Sequence, residues 1–221
     1  MPIRVLVTGF SVFPGAPVNP SERLVKLLDE RDPQFGDDVI VETVLLDTSY
    51  RTVGATLSAI GKLRHPDIAL HFGLSRNARG FRLERAAKNF VSCVRPDVTG
   101  YFPLESAICE GPESHVSSLP LDAIASALTA LGLPVEFSDS TGDYVCNFTF
   151  YNSRAGRFER FQPEMSGFIH IPYLDHQAPM VAGSEALPRL SEDQLRTGAL
   201  AIIEACLADA RTRQAPLQAI A

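Results

Sequence analysis

Three side chains far apart in the chain, Cys146, His170 and Glu84, have the types needed to activate a nucleophile. A thiol can attack an acyl carbon, an imidazole can take its proton, and a carboxylate can hold the imidazole in one tautomer. Cys146 follows the polar turn Asp139-Ser140-Thr141-Gly142. A helix opening near Asp143 or Tyr144 puts the thiol in its first turn. Backbone N–H groups there favour a thiolate and can hold an oxyanion. A free cysteine is also often a small buried hydrophobe. His170 ends the apolar stretch Gly167-Phe168-Ile169-His170-Ile171-Pro172, where a strand-end core histidine is the plainer reading. Glu84 lies in Arg82-Leu83-Glu84-Arg85-Ala86-Ala87-Lys88-Asn89, which alone reads as a solvated, salt-bridged face. Phe10 and Phe13 sit in a Gly/Pro-rich loop and can line a small apolar pocket or anchor the loop on the core.

These residues need a scaffold. Ile3–Thr8, Val39–Leu46, Asp67–Phe72, Val135–Ser138 and Gly167–Ile171 read as buried strands. Helical periodicity covers the stretch opened by Asn19-Pro20-Ser21, then Thr52–Leu63, Leu121–Leu131, Tyr144 to Arg154 and Ser191–Arg211. Short strands and a loop are predicted over 74–100. Strands alternating with helices predict an α/β three-layer sandwich, with a largely parallel twisted central sheet and helices on both faces. Sites in such folds gather at the carboxyl ends of strands, so the loops after Thr8, Phe72, Ser138 and Ile171 are the places to look.

The 221 residues, 45% hydrophobic and 21% charged, suit one domain spanning 1–221. The net charge of −6 and the absence of a basic stripe argue against a nucleic-acid partner. No apolar run is long enough to span a membrane, and MPIRVLVTGF reads as a first strand rather than a secretory leader, so a cytoplasmic protein is expected. Cys93, Cys109, Cys146 and Cys206 form no CxxC pair, and no structural zinc site is expected. The Gly9 loop carries neither GxGxxG nor a Walker-type motif, which rejects nucleotide binding there.

Taken in order, the segments resemble the pyroglutamyl peptidase I (pyrrolidone-carboxylate peptidase) family of cysteine peptidases. Thr8-Gly9-Phe10, Phe13 and Val18-Asn19-Pro20-Ser21 resemble its opening. Glu84-Arg85 with Asn89, then Arg95-Pro96-Asp97, are similar to its glutamate segment. Gly142-Asp143-Tyr144-Val145-Cys146-Asn147 resembles its nucleophile motif, and Gly167–Pro172 its histidine motif. Three segments depart from the family pattern. The first loop reads Phe10-Ser11-Val12-Phe13-Pro14-Gly15, where many members have Pro before the second Phe and Gly after it. Gly73–Gly80 reads GLSRNARG, where many bacterial members carry a G-Q-A-G-G-R type of loop, and Tyr144 stands where many carry Phe.

The resemblance implies hydrolysis of the amide after an N-terminal pyroglutamate through a thioester. Cys146 would be the nucleophile, His170 the base and acid, and Glu84 its orienting group. It further implies a lactam pocket of Phe10, Phe13, Tyr144 and Val145, with Arg95 near the oxyanion. The implied partners are pyroglutamyl peptides, with no metal or cofactor and with assembly as a homodimer or homotetramer. The alternatives are a thiol hydrolase of another amide or ester, or a non-catalytic small-ligand-binding homologue. The complete Cys/His/Glu set argues against the second of these.

Overall fold

The structure, a computed structural model, describes residues 2–13, 16–31, 33–181, 183 and 187–218, the side chains of 214–218 excepted. Pro14 and Gly15 of the first loop lie outside the described residues. In chain order the elements are β1 (Ile3–Phe10), α1 (Pro20–Glu30), β2 (Val39–Leu46), α2 (Tyr50–Leu63), β3 (Ile68–Leu74), β4 (Phe81–Glu84) and β5 (Ala86–Lys88). They continue with β6 (Ser114–Val116), α3 (Leu121–Ala130), β7 (Val135–Ser138), α4 (Val145–Arg154), β8 (Met165–Ile171), β9 (Tyr173–Leu174), β10 (Arg189–Leu190) and α5 (Glu192–Gln218). The strands β6, β9 and β10, two or three residues each, were too short to carry a period in the sequence.

Six strands form the central sheet in the order β2-β1-β3-β8-β4-β7. Every pairing is parallel except β4 with β8, which is antiparallel. Because β7 is parallel to β4, it too runs against the other four strands. The loop after Ser138 therefore leaves toward the amino ends of β2, β1, β3 and β8, not toward the edge that parallel topology had suggested. It comes back to that edge along 139–144.

Alternation along the strands divides the core into two layers. On one face Val5, Val7, Leu70, Phe72, Ile169 and Ile171 pack with Leu24 and Leu28 of α1, Ile124 and Leu128 of α3, and Leu195 and Ile202 of α5. On the other face Leu6, Phe10, Ala69 and Phe168 pack with Val53 and Leu57 of α2 and Phe150 and Tyr151 of α4. Helices thus cover both faces of the sheet. Among the described residues no helix is long and apolar enough to cross a membrane.

Caps set the helix starts. The Asn19 side chain accepts from the Ser21 N–H at 3.1 Å, and Pro20 takes the first turn of α1 where no N–H is needed. Ser191 and Gln194 bond reciprocally at the head of α5: the Gln194 N–H donates to Ser191 Oγ at 3.0 Å and the Ser191 N–H to Gln194 Oε1 at 2.9 Å, a capping box. Gly9 lets α1 approach the sheet, since a Cβ there would lie 2.2 Å from the Ser21 carbonyl oxygen.

A polar chain runs through the second layer. Fully buried His71 on β3 bonds Thr8 Oγ1 of β1 at 2.8 Å and Ser153 Oγ of α4 at 3.1 Å. Ser153 in turn meets Ser166 Oγ of β8 at 2.6 Å. Burial drives the His71 pKa down to about 3, so the ring stays neutral in the folded state. The unfolded chain protonates such a ring near its ordinary value of about 6.5. The unfolded state therefore takes up the extra proton between the two values. This contribution to stability is complete above about pH 6.5 and is lost as pH falls toward 3. In denaturant unfolding, the wild type should lose about 2 kcal/mol more than His71→Gln between pH 7 and pH 5. Equal losses in the two proteins would show that His71 is not held neutral.

Candidate active site

The site grows from the one antiparallel pairing. Opposite strand directions set Arg82 against His170 and Glu84 against Phe168, so Glu84 lies diagonally from the imidazole on the same face. His170 Nδ1 is 2.8 Å from Glu84 Oε1. The carboxylate has no exposed surface and the His170 residue is 7% exposed, so the pair is nearly dry. Nδ1–H donates to the carboxylate in the arrangement a carboxylate accepts, which leaves Nε2 as the basic nitrogen. The second carboxylate oxygen, Oε2, has no protein partner among the described residues. Phe168 lies under the imidazole with ring centres 4.8 Å apart.

The thiol comes from the helix layer that covers this same face of the sheet. Tyr144 is the extended residue before α4, and Cys146 is the second residue of that helix. No side chain caps α4, so the N–H groups of its first turn face an incoming ligand. The sulfur sits in the space that Gly73 leaves open. A Cβ at Gly73 would lie 3.2 Å from Cys146 Sγ and 2.8 Å from Phe168 Cζ. Gly73 of β3 pairs in register with His170 of β8, so the glycine places the sulfur beside the imidazole's own strand.

Burial pushes the Cys146 thiol up to about 12. Arg95 pulls against that rise, and the charge of Glu84 adds to it. Cys146 still keeps partial exposure, as do Cys93 and Cys109, while Cys206 is fully buried. The resting group at neutral pH is thus the thiol, which needs a base to ionise it.

Cys146 and His170 open into a pocket of about 250 Å³ that Phe10, Phe13, Thr48, Arg95 and Tyr144 also line. Phe10 stacks on Phe168 with centres 6.2 Å apart, and Phe13 tilts against Tyr144 at 6.5 Å. Backbone bonds in both directions between Phe13 and Ala16 hold the first loop over the ring. The Tyr144 hydroxyl donates to the Pro96 carbonyl at 2.8 Å, and the Arg95 guanidinium lies 4.0 Å from the centre of the Tyr144 ring. Val145 does not line this pocket. It has no exposed surface and packs in the second core layer, because one helical step turns it about 100° from Cys146. A larger cleft of about 750 Å³ lies against Tyr50, Asp97 and Leu104, but it contains neither thiol nor imidazole. Size and chemistry disagree here, and chemistry decides.

The motif asparagines and arginines around these groups are structural ties. Asn89 Oδ1 accepts from the N–H groups of Ile108 and Cys109. Asn147 binds both backbone groups of Lys88 and the Phe90 carbonyl. Arg85 is exposed over the Phe137 ring, as a solvated face would be. Arg82 pairs with Glu136 at 2.7 Å and reaches Ser75 Oγ and the Asn77 carbonyl, so it ties down the 73–80 loop.

Sequence reasoning missed Thr48. It lines the pocket, is 3% exposed, and its hydroxyl has no protein partner. The only signal was a hydroxyl residue at a strand end just before the Ser49 cap of α2. Among the described residues no group of three or more His, Cys, Asp or Glu side chains is arranged to hold a metal ion.

With this geometry in hand, comparison with known proteins places the chain. A family profile described as pyroglutamyl peptidase matches residues 3–209. A pyrrolidone-carboxylate peptidase of Pyrococcus furiosus is 35% identical over 84% of this chain and 88% of its own length. One from Pseudomonas fluorescens is 34% identical over 90% of each. Among solved structures, a variant pyrrolidone carboxyl peptidase of Pyrococcus furiosus superposes with a TM-score of 0.84 at 32% identity, covering 94% of this chain and 99% of that one. The pyrrolidone carboxyl peptidase of Fervidobacterium islandicum gives 0.83 at 32% identity, with the same coverage of both chains.

The open space over Gly73 predicts the effect of filling it. Gly73→Ala must displace either the buried Phe168 ring or the sulfur. It should cost about 1–3 kcal/mol of stability by overpacking. It should also slow alkylation of Cys146 roughly tenfold, by moving the sulfur from its base. Thermal melting and peptide-resolved iodoacetamide labelling read both effects. Unchanged labelling at Cys146 would mean that the sulfur does not depend on this glycine.

Proposed function

The chain belongs to the pyroglutamyl peptidase family, and from that premise we propose that it is a cysteine peptidase that removes an N-terminal pyroglutamate from peptides, with Cys146, His170 and Glu84 as its machinery. The observation that carries this reading is the buried 2.8 Å contact of Glu84 with His170 beside a pocket that also holds the Cys146 thiol.

The lactam ring lies flat among Phe10, Phe13 and Tyr144. It carries no ammonium, so an apolar slot with a few polar contacts suffices. The thiol, held protonated by burial, gives its proton to His170 Nε2 as sulfur attacks the carbonyl that follows the ring. The sulfur–carbon bond forms, and the oxyanion turns toward the N–H groups that open α4. Glu84 keeps Nδ1 protonated and stabilises the imidazolium. The imidazolium then gives its proton to the departing amine as the carbon–nitrogen bond breaks. Water then attacks the thioester carbon as His170 Nε2 takes its proton, and the carbon–sulfur bond breaks as the imidazolium returns that proton to the sulfur, releasing pyroglutamate.

The chain is expected to work as one domain over 1–221, in the cytoplasm, as a homodimer or homotetramer. Sedimentation velocity of the purified protein reads the last of these directly. The readings as a different thiol hydrolase or a binding protein have no specific observation in their favour.

Hydrolysis of a fluorogenic pyroglutamyl amide should fall by about 10³-fold or more in Cys146→Ser. In Glu84→Gln, kcat should fall by at least about tenfold with KM little changed, because the imidazolium loses its partner but the ring pocket stays intact. Activity that survives in the serine variant would mean that the nucleophile is misassigned.

A further inference from the structure

The lactam pocket carries one charge that a lactam cannot use. The Arg95 guanidinium lines the pocket and lies 4.0 Å from the Tyr144 ring centre, and among the described residues it forms no ion pair. The other charged groups nearby are committed or exposed. Arg82, on the same pocket wall, is spent on Glu136, Ser75 and Asn77. Asp97 accepts from the Tyr50, Thr99 and Tyr101 N–H groups and from the Thr99 hydroxyl. Burial works against that carboxylate, but these hydrogen bonds hold it below the usual range, so it stays ionised and occupied. Asp143, also on the rim, is exposed and, among the described residues that line the pocket, carries the other charge able to meet a ligand there.

The Tyr144 hydroxyl is tied to Pro96, so the ring under Arg95 is held in place. A guanidinium stacked on a fixed ring meets an anion with little loss of side-chain freedom. With the scissile carbonyl at Cys146 and a neutral ring among the aromatics, the nearest negative charge on a substrate belongs to the residue being released. In a pyroglutamyl dipeptide its carboxylate is two bonds beyond the scissile nitrogen.

We propose that Arg95 is a specificity-determining residue that favours substrates whose released residue bears a carboxylate close to the scissile bond over the same substrates with that carboxylate blocked. The inference rests on the pyroglutamyl peptidase reading and deepens it.

The test compares kcat/KM for pyroglutamyl-alanine and pyroglutamyl-alanine amide in the wild type, Arg95→Met and Arg95→Lys. The ratio within each protein cancels any general loss of activity. The wild type should favour the free carboxylate about fivefold, the size of one partly screened charge contact, and added salt should shrink that preference. Arg95→Met should bring the ratio to about one or below, with Asp143 left as the charge on the rim. Arg95→Lys should keep part of the preference. A wild-type ratio of one, or the same ratio in Arg95→Met, overturns the inference and leaves the peptidase reading standing. A folded wild type that cuts neither compound overturns both.

Discussion

A dry contact between a carboxylate and an imidazole sets the terms for this molecule. Glu84 is wholly buried, and its only protein partner among the described residues is His170. Withdrawing a carboxylate from water costs several kcal/mol unless its oxygens are matched, and here one is not. The surrounding fold must supply that energy. Two apolar layers do so, one under α1, α3 and α5 and the other under α2 and α4. The contact also dictates topology. The antiparallel β4 beside β8 brings residue 84 diagonally onto residue 170, the one reversed pairing in an otherwise parallel array.

The Cys146 thiol is positioned by a different device. Cys146 rides on a helix end that packs against the sheet, and side chains anchor that helix from below and from the side. Ser153 joins it to His71 and Ser166, and Asn147 joins it to the backbone around Lys88. The helix therefore has little freedom to slide. The pocket rim is held more lightly, by the Phe13–Ala16 bridge, the Tyr144–Pro96 bond and the Arg82 brace. The thiol and imidazole thus stand on the packed sheet and helix, while the pocket rim is tied by these separate contacts.

Much of this was legible in the residues. The long strands and helices stand close to where periodicity and caps put them, because the apolar stripes that define them are the same stripes that pack. Asn19 and Ser191 bond as their positions suggested. The directions of β4 and β7 were not legible. A four-residue strand carries no mark of its orientation, and only pairing decides it. Val145 was placed in the pocket by the family resemblance, but helical rotation turns its side chain into the core. Thr48 carried only the weak signal of its place before the Ser49 cap, and buried His71 was one histidine among five, because what distinguishes them is which atoms surround them. Glu84 looked like one charge among many, and only the fold separates it from solvated Arg85 beside it.

Gly73 shows how a position can be constrained by what it lacks. The strand contributes a vacancy there, and a side chain from a helix much later in the sequence fills it. Drift at that position is limited by the Phe168 ring and the Cys146 sulfur rather than by strand propensity. A lineage that gave up the sulfur for something smaller would still meet the Phe168 ring, 2.8 Å from a Cβ there, and one that kept the sulfur would have to refit both. The three positions therefore form a single unit of inheritance, written in separate parts of the chain and joined only after folding.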